Sequence, residues 1–188
     1  MKQRLTRGFF VCLALLQLAV PASMIINHEL ALEYGRQYRF RTAPIDPADP
    51  FRGRFVALSF PDETVPRPDK MTLTSGRQVY ASITEDTAGF AHLTAVSLTR
   101  PEGDAAIRVE VGYVTEDAVH LRLPFDRYYT AEHIAPEAER AYQQHSRRVN
   151  PEAYVTVRVR KGQAVLEELY IAGLPLREFL DKELMPEK

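Results

Sequence analysis

The 188-residue chain carries 24 Lys and Arg against 25 Asp and Glu, a net charge of −1, and 45% of it is hydrophobic. That balance suits one folded domain plus an appendage, and it excludes both a disordered polyelectrolyte and a basic nucleic-acid binder. With Cys12 as the single cysteine no internal disulfide can form, so stability must come from the core.

Lys2, Arg4 and Arg7 precede an uncharged stretch of nineteen residues, Gly8 to Ile26. At ~1.5 Å per helical residue it reaches about 28 Å, close to the roughly 30 Å hydrocarbon core of a bilayer. The basic flank before it, with Glu29 and Glu33 after it, predicts a single-pass anchor over 8–26 in the inner (cytoplasmic) membrane. Residues 1–7 are then cytoplasmic, and residues 27–188 form one extracytoplasmic, periplasmic domain. Val20-Pro21-Ala22-Ser23 would suit a signal peptidase, so a cleaved signal peptide is the alternative. The apolar run continues through Met24, Ile25 and Ile26 beyond that point, which favours a retained anchor. Cys12 follows Val11, not the small residue a lipidation site favours, and reads as a small membrane-buried side chain.

Gln37 to Thr42 predicts a strand that enters the stretch Pro44 to Phe60, PIDPADPFRGRFVALSF. Pro47 and Pro50 hold Asp46 and Asp49 in extended conformations, where each carboxylate can accept nearby backbone N–H groups. Gly53 supplies either a positive φ or a close backbone approach. Beyond it Phe55, Ala57 and Ser59 alternate with Val56, Leu58 and Phe60, and apolar residues on both faces predict a central strand over Arg54 to Phe60.

Pro44, Asp46-Pro47, Phe51-Arg52-Gly53, Phe55, Leu58 and Phe60 together resemble the signature of the GDYXXLXY family of membrane-anchored bacterial proteins. Gly53 and Leu58 match the motif. Arg54 stands where the motif has Asp, and Phe55 and Phe60 where it has Tyr, so the rings without their hydroxyls read as packing groups, not as proton donors. The resemblance extends in outline over most of the chain, through the anchor, a Tyr-Tyr plus Glu segment from Tyr128 to Glu132, and a closing hairpin. It implies no established reaction, and it implies a polytopic membrane protein as neighbour and partner.

Pro61, Pro66 and Pro68 predict an irregular loop over Pro61 to Met71. Gln78 to Thr84 and Phe90 to Thr99 then flank a short loop ending at Gly89, as a hairpin requires. Ile107 to Tyr113 and Val119 to Leu123 alternate apolar and polar residues, which predicts strands with one wet face. Val155 to Arg160 and Ala164 to Ile171 form a last pair, turned at Lys161-Gly162. About eight closely spaced strands predict a mainly β (α+β) domain, an antiparallel barrel or sandwich with one or two short helices. One helix, expected to lie over the sheet, follows from Ile134, Ala138, Ala141, Tyr142, His145 and Val149, with Pro136 in its first turn. A second is expected over Leu176 to Leu184.

For chemistry the residues offer little. Five histidines include no pair at ligand spacing, and no metal or cofactor is expected. His92 and His120 alternate with apolar neighbours and are expected on solvent faces. Removing Lys2, Arg4 and Arg7 leaves the remainder mildly acidic, so no nucleic-acid partner is expected. The expected role is a non-enzymatic interaction or accessory module of a cell-envelope membrane complex. Its candidate binding residues are Pro44, Asp46, Pro47, Arg52, Gly53, Phe55, Leu58, Phe60, Tyr129 and Glu132. One rival is a cell-envelope hydrolase with Asp46 and Glu132 as a carboxylate pair. Against it, Asp46 can cap its own turn and pair with Arg52, while Glu132 anchors the Tyr128-Tyr129 segment. A periplasmic small-ligand-binding domain is the other rival, and it would need an open apolar mouth.

Overall fold

A computed structural model describes residues 2–43, 55–68, 71–103, 105–146 and 152–184. The apolar N-terminal run lies within α1 (Lys2–Tyr34), which extends beyond it at both ends. Cys12–Tyr34 is long and apolar enough to cross a membrane, criteria that a signal sequence also meets. Phe10, Leu16, Leu18 and Ile25 are all exposed, so the domain covers no face of the helix up to Ile25. Helicity continues past Ile26 because the last turns pack on the domain, where Ala31 is fully buried.

The helix passes into β1 (Arg36–Arg41) through Gly35 alone. A Cβ at Gly35 would stand 2.3 Å from the Ala31 carbonyl oxygen and 3.1 Å from the backbone N and O of Val159. Only glycine lets the helix end approach the sheet this closely.

After β2 (Phe55–Ala57) the chain makes a short 3₁₀ turn (Pro61–Glu63) and β3 (Thr64–Pro66). The proline-rich stretch is therefore more regular than expected. Pro61 starts the 3₁₀ turn, and β3 is an edge strand against β7 (Ala118–Arg122), where Pro66 at its end is tolerated. The β4 (Gln78–Glu85) and β5 (Ala91–Ser97) hairpin, β6 (Ala106–Val114) and β7 follow the predicted alternation. β8 (Arg127–Tyr129), α2 (Ala135–Ser146), β9 (Ala153–Arg160), β10 (Gln163–Ile171), β11 (Leu174–Pro175) and α3 (Leu176–Leu184) complete the chain.

All strand pairs are antiparallel. One sheet has the order β3-β7-β6-β4-β5, a second β1-β9-β10-β11, and β2 pairs with β8. Together they make a nearly closed, barrel-like antiparallel sheet with few helices. The Arg108 N–H donates to the Gly162 carbonyl at 2.8 Å, joining β6 to the β9–β10 turn. On the β1 side, Arg39 reaches the Ala88 and Gly89 carbonyls of the β4–β5 loop. Phe40, Phe60 and Phe125 meet edge-on or tilted in the interior, with centroids 5.2–6.4 Å apart. Val79, Ile107, Val157 and Leu169 fill in around them. The interior between the sheets is thus packed with side chains.

The strand expected to be central is not. Among the described residues β2 keeps three residues and pairs with β8 alone. Its continuation keeps that register for one step, the Leu58 N–H donating to the Asp126 carbonyl at 2.9 Å, and Ser59 then bridges to Ala43. Both apolar faces are still accounted for, because Leu58 and Phe60 turn into the core while α2 covers β2. α2 buries Ala138, Ala141, Tyr142 and His145, the predicted face.

Candidate binding face

Of the residues singled out in the sequence, Pro44, Asp46, Pro47, Arg52 and Gly53 lie outside the described residues, as does any distance from Asp46 to Glu132. Both flanks of that segment are fixed. The Ala43 N–H donates to the Ser59 carbonyl at 2.8 Å, and the buried Tyr142 hydroxyl of α2 donates to the Ala43 carbonyl at 2.8 Å. Burial pushes the pKa of that hydroxyl up to about 12, so it stays a donor.

The remaining motif residues divide into two sets. Leu58 and Phe60 are buried in the core. Phe55 instead sits half-buried on β2, directly opposite Tyr129 of β8, with ring centroids 5.7 Å apart and the Arg127 guanidinium 5.1 Å from the Phe55 ring. Tyr129 is 68% exposed. The adjacent Tyr128 faces the other way and is half-buried, as alternation requires. Its hydroxyl donates to Glu168 Oε1 of β10 at 2.6 Å. Burial first, then Glu168, push the Tyr128 hydroxyl well above the ordinary tyrosine range. Glu132 is exposed just before α2, and the carboxylate that holds the Tyr128 hydroxyl is Glu168. Glu168 was not foreseen, because its place opposite Tyr128 depends on β8 meeting β10 across forty residues of chain.

Two grooves flank Tyr128. One, of about 450 Å³, runs between the foot of α1 and the domain, lined by His28 of the helix, Arg127 and Tyr129 of β8 and Leu166 and Glu167 of β10. The other, of about 340 Å³, lies between β8 and the two short helices, lined by His133, Ile134, Leu176 and Arg177. At the rim of the first, partial burial opposes ionisation of Glu167. Hydrogen bonds from Arg158 at 3.0 Å and Gln37 at 2.6 Å outweigh it and hold the carboxyl below its ordinary range. The face combines one exposed tyrosine and two half-buried aromatic rings with an arginine, residue types enriched at protein interfaces.

A polar cluster lies elsewhere, beside the β4–β5 loop. His92 is partly buried there, not on an open solvent face: its Nδ1 lies 2.9 Å from Asp62 and its Nε2 3.3 Å from Asp86. Asp86 accepts from the Phe90 N–H at 2.8 Å and from Arg41 at 2.7 Å, which hold its carboxyl well below the usual carboxylate range. Asp62 chiefly, then Asp86, raise the pKa of His92. With a carboxylate at each ring nitrogen, His92 ties the Pro61–Glu63 turn to the β4–β5 loop. His120 is stacked on Tyr113 at 3.9 Å and 2.9 Å from the Thr64 hydroxyl, another packing role. Among the described residues no group of three or more His, Cys, Asp or Glu could hold a metal ion.

A family model described as GDYXXLXY protein matches residues 17–169, most of the chain. The chain belongs to the GDYXXLXY family. No curated protein and no solved structure matches it. Within this GDYXXLXY protein the named motif contributes two core side chains, Leu58 and Phe60, and one ring of the exposed β2–β8 ladder. The family's function is unknown, so any role must be argued from this face.

Proposed function

We propose that this chain is a non-enzymatic interaction module of a cell-envelope membrane complex. Residues 8–26 cross the inner membrane once with residues 1–7 in the cytoplasm, and residues 27–188 form an extracytoplasmic domain that docks on a polytopic membrane protein. The observation that carries this reading is the joint. α1 enters β1 through one glycine, its last turns pack on β9 and β10, and a groove lined by His28 and Tyr129 opens at its foot. The apolar run up to Ile26, exposed along its length, suits a non-aqueous environment, which supports the membrane placement. A short, packed joint holds the aromatic face near the bilayer surface, where a membrane-embedded partner presents its loops, and so raises the effective concentration of the two.

The test is affinity capture of the full-length, detergent-solubilised chain from its native membrane, beside a Tyr129→Ala/Arg127→Ala double variant and a form lacking residues 1–26. A stoichiometric membrane protein recovered with the full chain and lost from both comparisons is the expected outcome. Recovery of the chain alone in all three would sink the reading.

A further inference from the structure

A third cleft, of about 580 Å³, opens between α1 and the β9–β10 turn, and its lining includes Arg108, Arg160 and Lys161 with the amides of Asn27 and Gln163. No carboxylate is among the lining residues. We propose that this cleft binds the phosphate of an anionic glycerophospholipid in the leaflet where α1 leaves the bilayer. The proposal rests on the membrane-anchored reading above and goes beyond it.

Position decides the class of ligand. Asn27 directly follows Ile26, the last residue of the uncharged run, so the cleft sits at the depth of the headgroups if the run fills the hydrocarbon core. A phosphate there meets three cations and several amide donors, a donor set suited to an anion. A choline headgroup brings its own cation and gains less.

The turn itself is costly to build. Lys161 has φ 51° and Gly162 φ 85°, the left-handed pair of a type I′ hairpin. Asn, Asp or Gly suits the first of these positions; a lysine accepts strain there and gains a charge at the cleft. Glycine at 162 is required by contact as well, since a Cβ would lie 2.8 Å from the Tyr80 ring that also lines the cleft. The bond from the Arg108 N–H to the Gly162 carbonyl then fixes Arg108 beside the turn.

The experiment is native mass spectrometry of the full-length chain in detergent, titrated with phosphatidylglycerol or phosphatidylcholine, for the wild type and for Arg108→Gln, Arg160→Gln and Lys161→Asn singly and combined. Lys161→Asn suits the turn, so it removes the charge without unfolding the hairpin; circular dichroism checks the rest. The wild type should prefer phosphatidylglycerol, with the preference falling roughly fivefold per cation removed. Equal preference in wild type and triple variant overturns the proposal, and so does displacement of the lipid by inorganic phosphate at matched concentration, which would make this a free-anion site. Alkaline carbonate extraction separates the two readings. Release of the chain from its membrane would overturn both, whereas retention without a lipid preference would overturn this one alone.

Discussion

Gly35→Ala tests the joint on which the functional reading depends. The φ of Gly35 lies outside the left-handed region, so alanine meets no backbone strain and the penalty is contact alone. A Cβ 2.3 Å from the Ala31 carbonyl oxygen falls roughly 1 Å short of ordinary van der Waals separation, and the further contacts at 3.1 Å are also backbone atoms, which cannot rotate away. Either the last helical turn opens, losing the Gly35 N–H bond to Ala31, or the helix lifts from β9. Overpacking of this kind costs about 1–3 kcal/mol, and in a chain of this size each kcal/mol lowers Tm by about 2–4 °C. Thermal melting of the detergent-solubilised protein should therefore show a fall of roughly 3–10 °C. Limited proteolysis should gain a cleavage near residues 30–36. Ala31→Leu, at a fully buried position under the same turn, should do likewise. If both variants melt and digest as wild type does, the helix does not approach the sheet as described, and the argument for a rigid membrane-proximal face goes with it.

The division of the motif predicts that Phe60→Ala, which empties the centre of the phenylalanine cluster, costs about 3–5 kcal/mol in urea unfolding, and that Phe55→Ala costs about 1 kcal/mol while reducing partner capture. Equal costs at the two positions would contradict the division. Tyr128→Phe leaves Glu168 without its 2.6 Å bond and should cost about 1–2 kcal/mol by the same measurement, where no change would mean that water replaces the hydroxyl without loss. For His92 the folded-state pKa is raised above its ordinary value of 6.5. Its contribution is then full below that pH and disappears as pH rises through the folded-state value. His92→Gln should flatten this limb of the stability–pH curve, by less than about 1 kcal/mol since the ring is partly exposed, and an unchanged limb would assign the pH dependence elsewhere.

Alternation with a period of two was enough to place β1, the β4–β5 hairpin, β6, β7 and the β9–β10 hairpin, because each strand has one buried and one wet face that writes its pattern into local sequence. The same holds for α2, whose buried Ala138, Ala141, Tyr142 and His145 lie at helical spacing. Where the expectation failed, the deciding contact was remote. Nothing local to Val56 and Leu58 reveals that this short strand will find its partner in the segment that starts at Asp126, nearly seventy residues on. β3 pairs at a sheet edge despite its proline, and His92 meets Asp62 only because the Pro61–Glu63 turn packs against β5. The extension of α1 beyond the uncharged run has a related reason. Asn27, His28 and Glu29 end an apolar pattern, yet the helix persists because Ala31 has a sheet to pack on.

The departures of this chain from the family motif carry an argument about what the motif does. A catalytic tyrosine cannot become phenylalanine without loss of its proton, whereas a packing ring can. Phe60 lies at a position where a hydroxyl would have to find a partner inside a cluster of phenylalanine rings, and its absence costs nothing there. Phe55 faces Tyr129 across the ladder, so a phenol remains available at the exposed end of that pair even though this strand supplies none. What the position requires is thus an aromatic face opposite β8, with the hydroxyl free to come from either strand. On the proposed reading, a surface defined by ring shape and a neighbouring arginine would recognise its partner through burial and cation–π contact, which tolerate such exchange.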